Sequence, residues 1–260
     1  MKVGLIGLLV LFAIGIVVSL PPIPQDVAYH SFAGDETRWG IANAANVLSN
    51  IGFIIVGFIG LIKIRHLPNK EITLMWRFFF IATIFVGLGS AYYHLLPSND
   101  TLVWDRLPMA LCFGALTACV CTERLNARIG RLLFMPLVMS GVLSVIYWWI
   151  SEQHGLGDLR PYILVQYIPM IIIPLLILLC PKSTEQNRAY WLLLASYILA
   201  KGFEFSDVQI FDLTNHVISG HTLKHLAAAI GILALPPSAI EVNEGGDTST
   251  RYCLTKKDNL

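Results

Sequence analysis

A polar segment, GSAYYH at residues 89–94, ends a long apolar run, and Asp105 follows eleven residues after it. The run, at about 72–96, is long enough to cross a bilayer, which takes about 20 helical residues. On a helix Ser90 and His94 share one face because they are four residues apart. An ionisable side chain at membrane depth is energetically costly, so His94 indicates a functional site whose partners lie elsewhere in the chain.

The last apolar run supplies candidate partners for His94. It contains His221 and His225, which are again one helical turn apart. No spacing among the five cysteines matches a thiolate zinc site, and we expect these residues to be small packing side chains rather than a disulfide framework. The histidines are therefore the strongest candidates for metal ligands.

The composition is that of a polytopic membrane protein. Of the 260 residues, 55% are hydrophobic and only 13% are charged, and the mean hydropathy is +0.65. These values exclude a soluble globular domain, because repeated apolar runs of about 20 residues need a bilayer around them. The formal net charge of +1 gives no indication of a nucleic-acid partner.

The apolar runs divide the chain into four parts. Residues 1–22 are predicted to be an N-terminal membrane anchor, with a cleaved signal peptide as the alternative, because no Ala-x-Ala site follows the run. Residues 23–42 form a polar connector, residues 43–236 a seven-helix transmembrane hydrolase domain, and residues 237–260 a disordered polar tail. The fold class is thus all-α, a seven-helix membrane bundle with an extra N-terminal helix. The seven runs lie at about 43–64, 73–96, 102–122, 132–150, 161–180, 189–204 and 214–236.

Charge asymmetry between the loops predicts the orientation in the membrane. The connections on one side are mainly acidic, whereas those on the other side are basic and contain Lys63, Arg65, Lys70, Arg77, Arg124, Arg128, Arg131, Lys182 and Arg188. The positive-inside rule places the basic side and the C-terminus in the cytoplasm. Counting the crossings then brings His94, Asp105, His221 and His225 to one membrane level, toward the non-cytoplasmic side.

Three imidazoles with an open fourth position suit a catalytic zinc ion. Zinc lowers the pKa of bound water from 15.7 to about 7 and polarises a carbonyl group, which slow amide hydrolysis needs. Asp105 is the candidate for the base that takes a proton from water and returns it to the leaving amine. Ser90 is the candidate donor to the developing oxyanion.

Each of these residues has a structural alternative when it is taken alone. A single membrane histidine is often a hydrogen-bonded packing residue, and Ser90 is also of the small type that packs at helix interfaces. Asp105 is placed to cap a helix or to pair with Arg106. The agreement of four residues on one level favours a metal site over these alternatives.

At these residues the chain resembles the alkaline ceramidases, members of a superfamily of seven-helix membrane hydrolases that includes the adiponectin and progestin receptors. The resemblance covers roughly residues 30–236, and its motifs are Ser90-x-x-x-His94, Asp105, His221-x-x-x-His225 and Asn46-x-x-Ser49-Asn50. It implies seven core helices, a zinc ion held by the three histidines, and a serine and an aspartate that assist water attack on a lipid amide. The implied substrate is a ceramide-like lipid from the bilayer, cleaved to a sphingoid base and a fatty acid.

The sequence departs from the animal enzymes in three places. Their calcium-binding acidic cluster ends in a Glu three residues before the first Asn of the core, where this chain has Asn43. Because Asp35 and Glu36 are also out of register, calcium lacks its expected ligand set. The N-terminal helix is an addition, and the segment GDLRPY at 157–162 resembles the ceramidase-like branch found in bacteria.

Two other functions remain alternatives. A lipid sensor or receptor could retain the zinc site as a structural element, although the short loops and the polar tail offer little surface for coupling to a partner. A transporter could use the intramembrane His and Asp residues as a proton relay. Neither an inverted repeat nor clearly interrupted helices, which a transporter would favour, are found in the sequence. The sequence makes no prediction about the oligomeric state.

Overall fold

All regular secondary structure in the described part of the chain is helical. The computed structural model describes residues 2–67 and 69–235. A short 3-10 helix, Val27–His30, lies in the connector. The α-helices are α1 (Lys2–Ser19), α2 (Ala44–Ser49), α3 (Ile51–Ile64), α4 (Lys70–Leu95), α5 (Asn99–Arg124), α6 (Ala127–Gln153), α7 (Arg160–Leu179), α8 (Thr184–Phe205), α9 (Asp207–Leu213) and α10 (Gly220–Leu233). The predicted all-α class is confirmed.

Five segments are long and apolar enough to cross a membrane. They are Ala44–Ile64, Lys70–Leu95, Asn99–Arg124, Ala127–Gln153 and Arg160–Leu179, the first of which comprises α2 and α3. The apolar part of α1, Gly4–Ser19, is shorter than these segments. Within the described residues, α8 and α10 do not combine the same length with the same hydropathy. The chain is therefore a membrane protein by length and composition, whereas the count of seven crossing helices and the N-terminal anchor stay predictions.

The last predicted run differs most from the observed helix. α10 begins at Gly220 rather than near residue 214, because the short helix α9 and a turn precede it. Asn215 and His216 in this turn have positive φ angles of 51° and 65°, which a continuous helix does not allow. Ser219 then starts α10 by accepting a hydrogen bond from the backbone N–H of Thr222. The polar tail predicted at 237–260 lies outside the described residues.

A glycine permits the close approach of α4 and α5. A Cβ atom added at Gly89 would lie 1.9 Å from the backbone oxygen of Trp104 and 3.5 Å from the backbone nitrogen of Asp105. A side chain of any size would therefore push the two helices apart, as expected where small residues bring membrane helices into contact. Gly89 immediately precedes Ser90, so this contact brings the two predicted catalytic residues close to each other.

Three of the cysteines are the packing residues that we expect. Cys112, Cys119 and Cys121 are free thiols along α5, and the last two are buried. Cys180, at the end of α7, is disulfide-bonded. The expectation of unpaired cysteines is therefore wrong for Cys180.

The interior of the bundle differs between its two ends. The basic end has a mainly apolar core, in which the aromatic rings of Trp76, Phe79 and Phe80 contact one another and which also buries Glu123 and Arg124. The acidic end buries a larger set of polar side chains, among them Asn46, Ser90, His94, Asp105, Arg106, His221 and His225. Burial of polar groups is costly unless they are hydrogen-bonded or bind a ligand, and the three histidines make the acidic end the stronger candidate for a functional site.

Candidate metal centre and active site

Three buried histidines from two helices meet at the acidic end. The ligand nitrogens of His94, His221 and His225 all lie within 4.8 Å of one another. Their ring centroids are 4.8 to 5.0 Å apart, and none of the three side chains is more than 4% exposed. The structure thus brings together the three residues that the sequence predicts as metal ligands.

The short helix α2 packs against both α4 and α10, the two helices that carry the histidines. Asn43, which precedes α2 with a left-handed φ of 48°, donates from Nδ2 to the backbone oxygen of His94 at 2.9 Å. Asn46 of α2 accepts a hydrogen bond of 2.7 Å from the hydroxyl of Thr222. These two bonds fix the histidine-bearing ends of α4 and α10 relative to each other.

Two further side chains orient the histidines of α10. Ser49 Oγ lies 2.8 Å from Nδ1 of His225 and donates its own hydrogen to the backbone oxygen of Asn46. Asp207 accepts a hydrogen bond of 2.7 Å from the backbone N–H of His221. Ser49 is an outer partner of the kind that holds a metal-binding imidazole in place, whereas Asp207 fixes the backbone of His221. The sequence offers Ser49 only as part of a motif, and Asp207 only as an acidic residue near a helix end.

The chemistry of the cluster fits a divalent transition metal. Nδ1 of His94 and Nε2 of His221 are buried and have no hydrogen-bond partner among the described residues. An unpaired buried nitrogen is costly, and a bound cation would satisfy both atoms. Imidazole nitrogen is a preferred ligand of zinc. In the described part of the chain, no second group of three or more His, Cys, Asp or Glu residues comes close enough together to hold an ion.

A cavity of about 290 Å³ lies beside the histidines, and His225, Ser90 and Asp105 all line it. Ser90 and Asp105 are 3% and 6% exposed, so both face the interior of the protein. The two predicted catalytic side chains therefore share one cavity with a member of the histidine cluster.

The cavity has a polar end and an apolar end. The polar end is formed by Ser90, Asp105, Arg106, Tyr162, Lys201, Glu204 and Lys224. The apolar end contains Phe53, Val86, Met109 and Ala228, three of which lie about one helical turn further toward the basic end than Ser90, Asp105 and His225. The wall formed by α7 and α8 is mixed, with Leu159 and Ile163 beside the hydrogen-bonded pair Gln166 and Tyr197. A cavity with this polarity matches an amphiphilic ligand.

The comparison with known families identifies the family of the chain. The model of the ceramidase family matches residues 37–234, a range that contains the three histidines, Ser90 and Asp105. The chain belongs to the ceramidase family. Searches of curated proteins and of solved structures gave no match. Membership of the ceramidase family implies a hydrolase that acts on lipid amides and indicates ceramide as the type of substrate.

Two lysines and a glutamate form part of the cavity wall of this ceramidase-family protein. Lys201 Nζ lies 2.5 Å from one carboxylate oxygen of Glu204, and Lys224 Nζ lies 3.1 Å from the other. Tyr29 in the connector donates a long hydrogen bond of 3.5 Å to Glu204. Burial, and after it the charge of Glu204, raises the pKa of Tyr29, so its hydroxyl stays protonated. Sequence patterns miss this group because long charged side chains near helix ends ordinarily reach solvent.

The connector of the ceramidase-family fold covers the histidines. The ring of Phe32 lies 4.6 Å from that of His94 and 4.5 Å from that of His221, measured between centroids. His30 is anchored nearby, with its Nδ1 2.9 Å from the hydroxyl of Tyr93. Helical periodicity carries no information about this path of the connector, so sequence reasoning does not predict Phe32 as part of the site.

Proposed function

We propose that the protein is a zinc-dependent intramembrane hydrolase that cleaves the amide bond of a ceramide-like lipid to a sphingoid base and a fatty acid. The observation that carries the proposal is the convergence of three buried imidazoles beside a cavity that also holds Ser90 and Asp105. Family membership supports the lipid amide as the substrate class.

In this proposal each site residue has one role. His94, His221 and His225 hold the ion, which when bound supplies the Lewis acidity that activates water and polarises the amide carbonyl. Asp105 takes the proton of the attacking water and passes it to the leaving amine nitrogen. Ser90 donates a hydrogen bond to the carbonyl oxygen as negative charge develops on it.

The polarity of the cavity supports a lipid substrate. The apolar end can hold hydrocarbon, and the polar end places the amide near Ser90, Asp105 and His225. A substrate drawn from the bilayer would then present its scissile bond at the level of the histidines without leaving the membrane region. This arrangement favours hydrolysis over the sensor and the transporter alternatives, because it combines a candidate base, a candidate oxyanion donor and metal ligands at one place.

The decisive experiment is metal analysis of the purified protein combined with mass spectrometry of lipid products. We expect about one zinc per chain and release of fatty acid and sphingoid base from ceramide. His221→Ala should lose both the metal and the hydrolysis. His216→Ala is the matched control, because His216 is exposed and pairs with Asp212 outside the histidine cluster. Purified protein without transition metal, or full turnover by His221→Ala, would contradict the proposal.

We also infer that α8 and α10 cross the membrane and complete a seven-helix bundle, with the active site toward the non-cytoplasmic side and the C-terminus in the cytoplasm. The packing of α10 against both α8 and α3 supports this inference, because it makes these helices part of the same bundle. Single cysteines introduced at Arg188, near the start of α8, and at Asp212, between α8 and α10, should be labelled from opposite sides of the membrane, with Asp212 on the non-cytoplasmic side. Labelling of both from one side would rule out this orientation.

A further inference from the structure

Arg106 is a buried cation next to the proposed base. It lines the polar end of the cavity, and only 5% of the residue is exposed. Among the described residues it has no carboxylate in ion-pair contact, unlike Lys201 and Lys224, which share Glu204. Asp105 attracts the guanidinium from outside contact distance, but no carboxylate of the described chain accepts a hydrogen bond from it. A buried charge without a contacting counter-ion is costly.

Neutral groups hold the guanidinium of Arg106 in place. Its Cζ lies 4.2 Å from the ring of Trp148, 5.0 Å from that of Tyr162 and 5.6 Å from that of Tyr29, all measured to centroids. Its Nη2 donates a hydrogen bond of 2.5 Å to Oε1 of Gln25. Cation–π contacts and one neutral acceptor fix the side chain but do not neutralise its charge.

Two hydrogen-bond donors of this group remain without an acceptor. Nη1 of Arg106 and the hydroxyl of Tyr162 are both buried, and neither has a partner within the described part of the chain. Both residues line the same cavity, and Tyr162 is only 4% exposed. An anion that accepts from both donors would supply the missing charge and the missing acceptors together.

We propose that Arg106 and Tyr162 form a subsite for an anionic group on the head of the substrate, such as a phosphate, a sulfonate or a carboxylate. The preferred substrate is then a ceramide-like lipid with an acidic head group, hydrolysed more efficiently than neutral ceramide. This proposal rests on the proposed function, since it names the substrate of the same cavity. A guanidinium is suited to such groups because its planar set of N–H donors matches their oxygens.

The place of the subsite in the cavity assigns it to the head of the lipid. Arg106 and Tyr162 belong to the polar end, where Gln25 and Tyr29 of the connector approach from the loop side of the bundle. The apolar end of the cavity is the place for the hydrocarbon chains of the lipid. The fatty-acid carboxylate made by the reaction is a second source of the same chemistry, and the experiment below separates the two.

The test compares four lipids that carry the same N-acyl chain: ceramide, ceramide 1-phosphate, a 1-sulfonate analogue and an N-acyl amino acid. We expect the metal-loaded protein to hydrolyse at least one acidic lipid with a kcat/KM about tenfold above that of ceramide, mainly through a lower KM, which corresponds to about 1.4 kcal/mol of added binding free energy. A kcat/KM for ceramide that equals or exceeds those of all three acidic lipids would overturn the proposal.

Variants of Arg106 and Tyr162 test whether these two hydrogen-bond donors cause the preference for acidic lipids. Arg106→Gln should lower the ratio of kcat/KM for the acidic lipid to kcat/KM for ceramide about tenfold, and Arg106→Lys should lower this ratio less. Tyr162→Phe should also lower it, because it removes the hydroxyl but keeps the ring that contacts Arg106. Tyr147→Phe is the matched control, because the Tyr147 hydroxyl bonds Asp158 outside this cavity. If Arg106 and Tyr162 only support the fold, their variants reduce thermal stability and leave the ratio unchanged, which would overturn the subsite.

Two further measurements separate the remaining outcomes. If the subsite holds the product carboxylate, Arg106→Gln weakens inhibition by free fatty acid without changing the substrate ratio, and the assignment to the head group is wrong. If no lipid is hydrolysed, the proposed function fails, but thermal shifts still test the subsite. Acidic lipids should then raise the melting temperature more than ceramide does, and Tyr162→Phe should reduce that difference. Equal shifts would reject the subsite as well.

Discussion

Ser49 and His225 are joined by a hydrogen bond of 2.8 Å between the serine hydroxyl and Nδ1 of the imidazole. Because Ser49 Oγ donates its hydrogen to the backbone oxygen of Asn46, it accepts from Nδ1–H of His225. Nε2 of His225 is then the unprotonated nitrogen, which is the form that binds a metal. A residue of α2 thus sets the tautomer of a ligand on α10.

Replacement of this partner should weaken metal binding. Ser49→Ala removes the acceptor that orients His225, and loss of an outer partner typically costs about 10–100-fold in metal affinity. Competition with a zinc chelator measures the change. Ser140→Ala is the control, because Ser140 is exposed on α6 and bonds only to its own helix at Leu137. Equal zinc affinity of Ser49→Ala and wild type would show that the hydrogen bond does not tune the site.

Removal of the proposed base should separate metal binding from turnover. Asp105→Asn keeps the size of the side chain but cannot accept the proton of water, so amide hydrolysis should fall about 10²–10⁴-fold while zinc stays bound. Metal content and the rate of fatty-acid release are measured on the same preparation. Asp100→Asn on the first turn of the same helix should retain activity, since Asp100 bonds Trp149 and Gln153 at the surface. Wild-type turnover by Asp105→Asn would remove Asp105 from the mechanism.

The contact between α4 and α5 should not tolerate a methyl group. Gly89→Ala places a Cβ 1.9 Å from the backbone oxygen of Trp104, so the helices must separate, at a cost of about 1–3 kcal/mol or more. The melting temperature and the activity should both fall. Gly202→Ala in α8 is the control: no atom lies within 4 Å of its added Cβ, and alanine is the better helix former. An unchanged melting temperature for Gly89→Ala would mean that the helices do not approach this closely.

The loop before α7 should make stability depend on pH. Hydrogen bonds from the Arg160 guanidinium hold the pKa of the Asp158 carboxyl below its ordinary value of 3.8, with a smaller contribution from Tyr147. Since the folded state has the lower pKa, the contribution of Asp158 to stability is fully present above the unfolded pKa and is lost as the pH falls through the folded pKa. The difference in melting temperature between wild type and Asp158→Asn should therefore be constant near neutral pH and shrink below about pH 4. A difference in melting temperature that grows as the pH falls would contradict this prediction.

Much of the site can be predicted from the chain because polar residues are rare in apolar runs. His94, His221 and His225 stand out for this reason, and counting the crossings places them with Asp105 at one end of the bundle. The start of α10 is harder to predict. The turn at Asn215 and His216 interrupts an apolar pattern through backbone angles that hydropathy does not report.

The amino-acid order alone therefore predicts which residues lie at the same end of the bundle, since helix rise and the alternating direction of the helices add up along the chain. Only the packed structure decides how each helix is rotated and where the connector runs. For this reason the contact of Ser49 with His225, the position of Phe32 against the histidines and the contact of Arg106 with Tyr162 come only from the three-dimensional structure. Rotation depends on contacts between residues far apart in sequence, such as Gly89 against Trp104, which no local pattern contains.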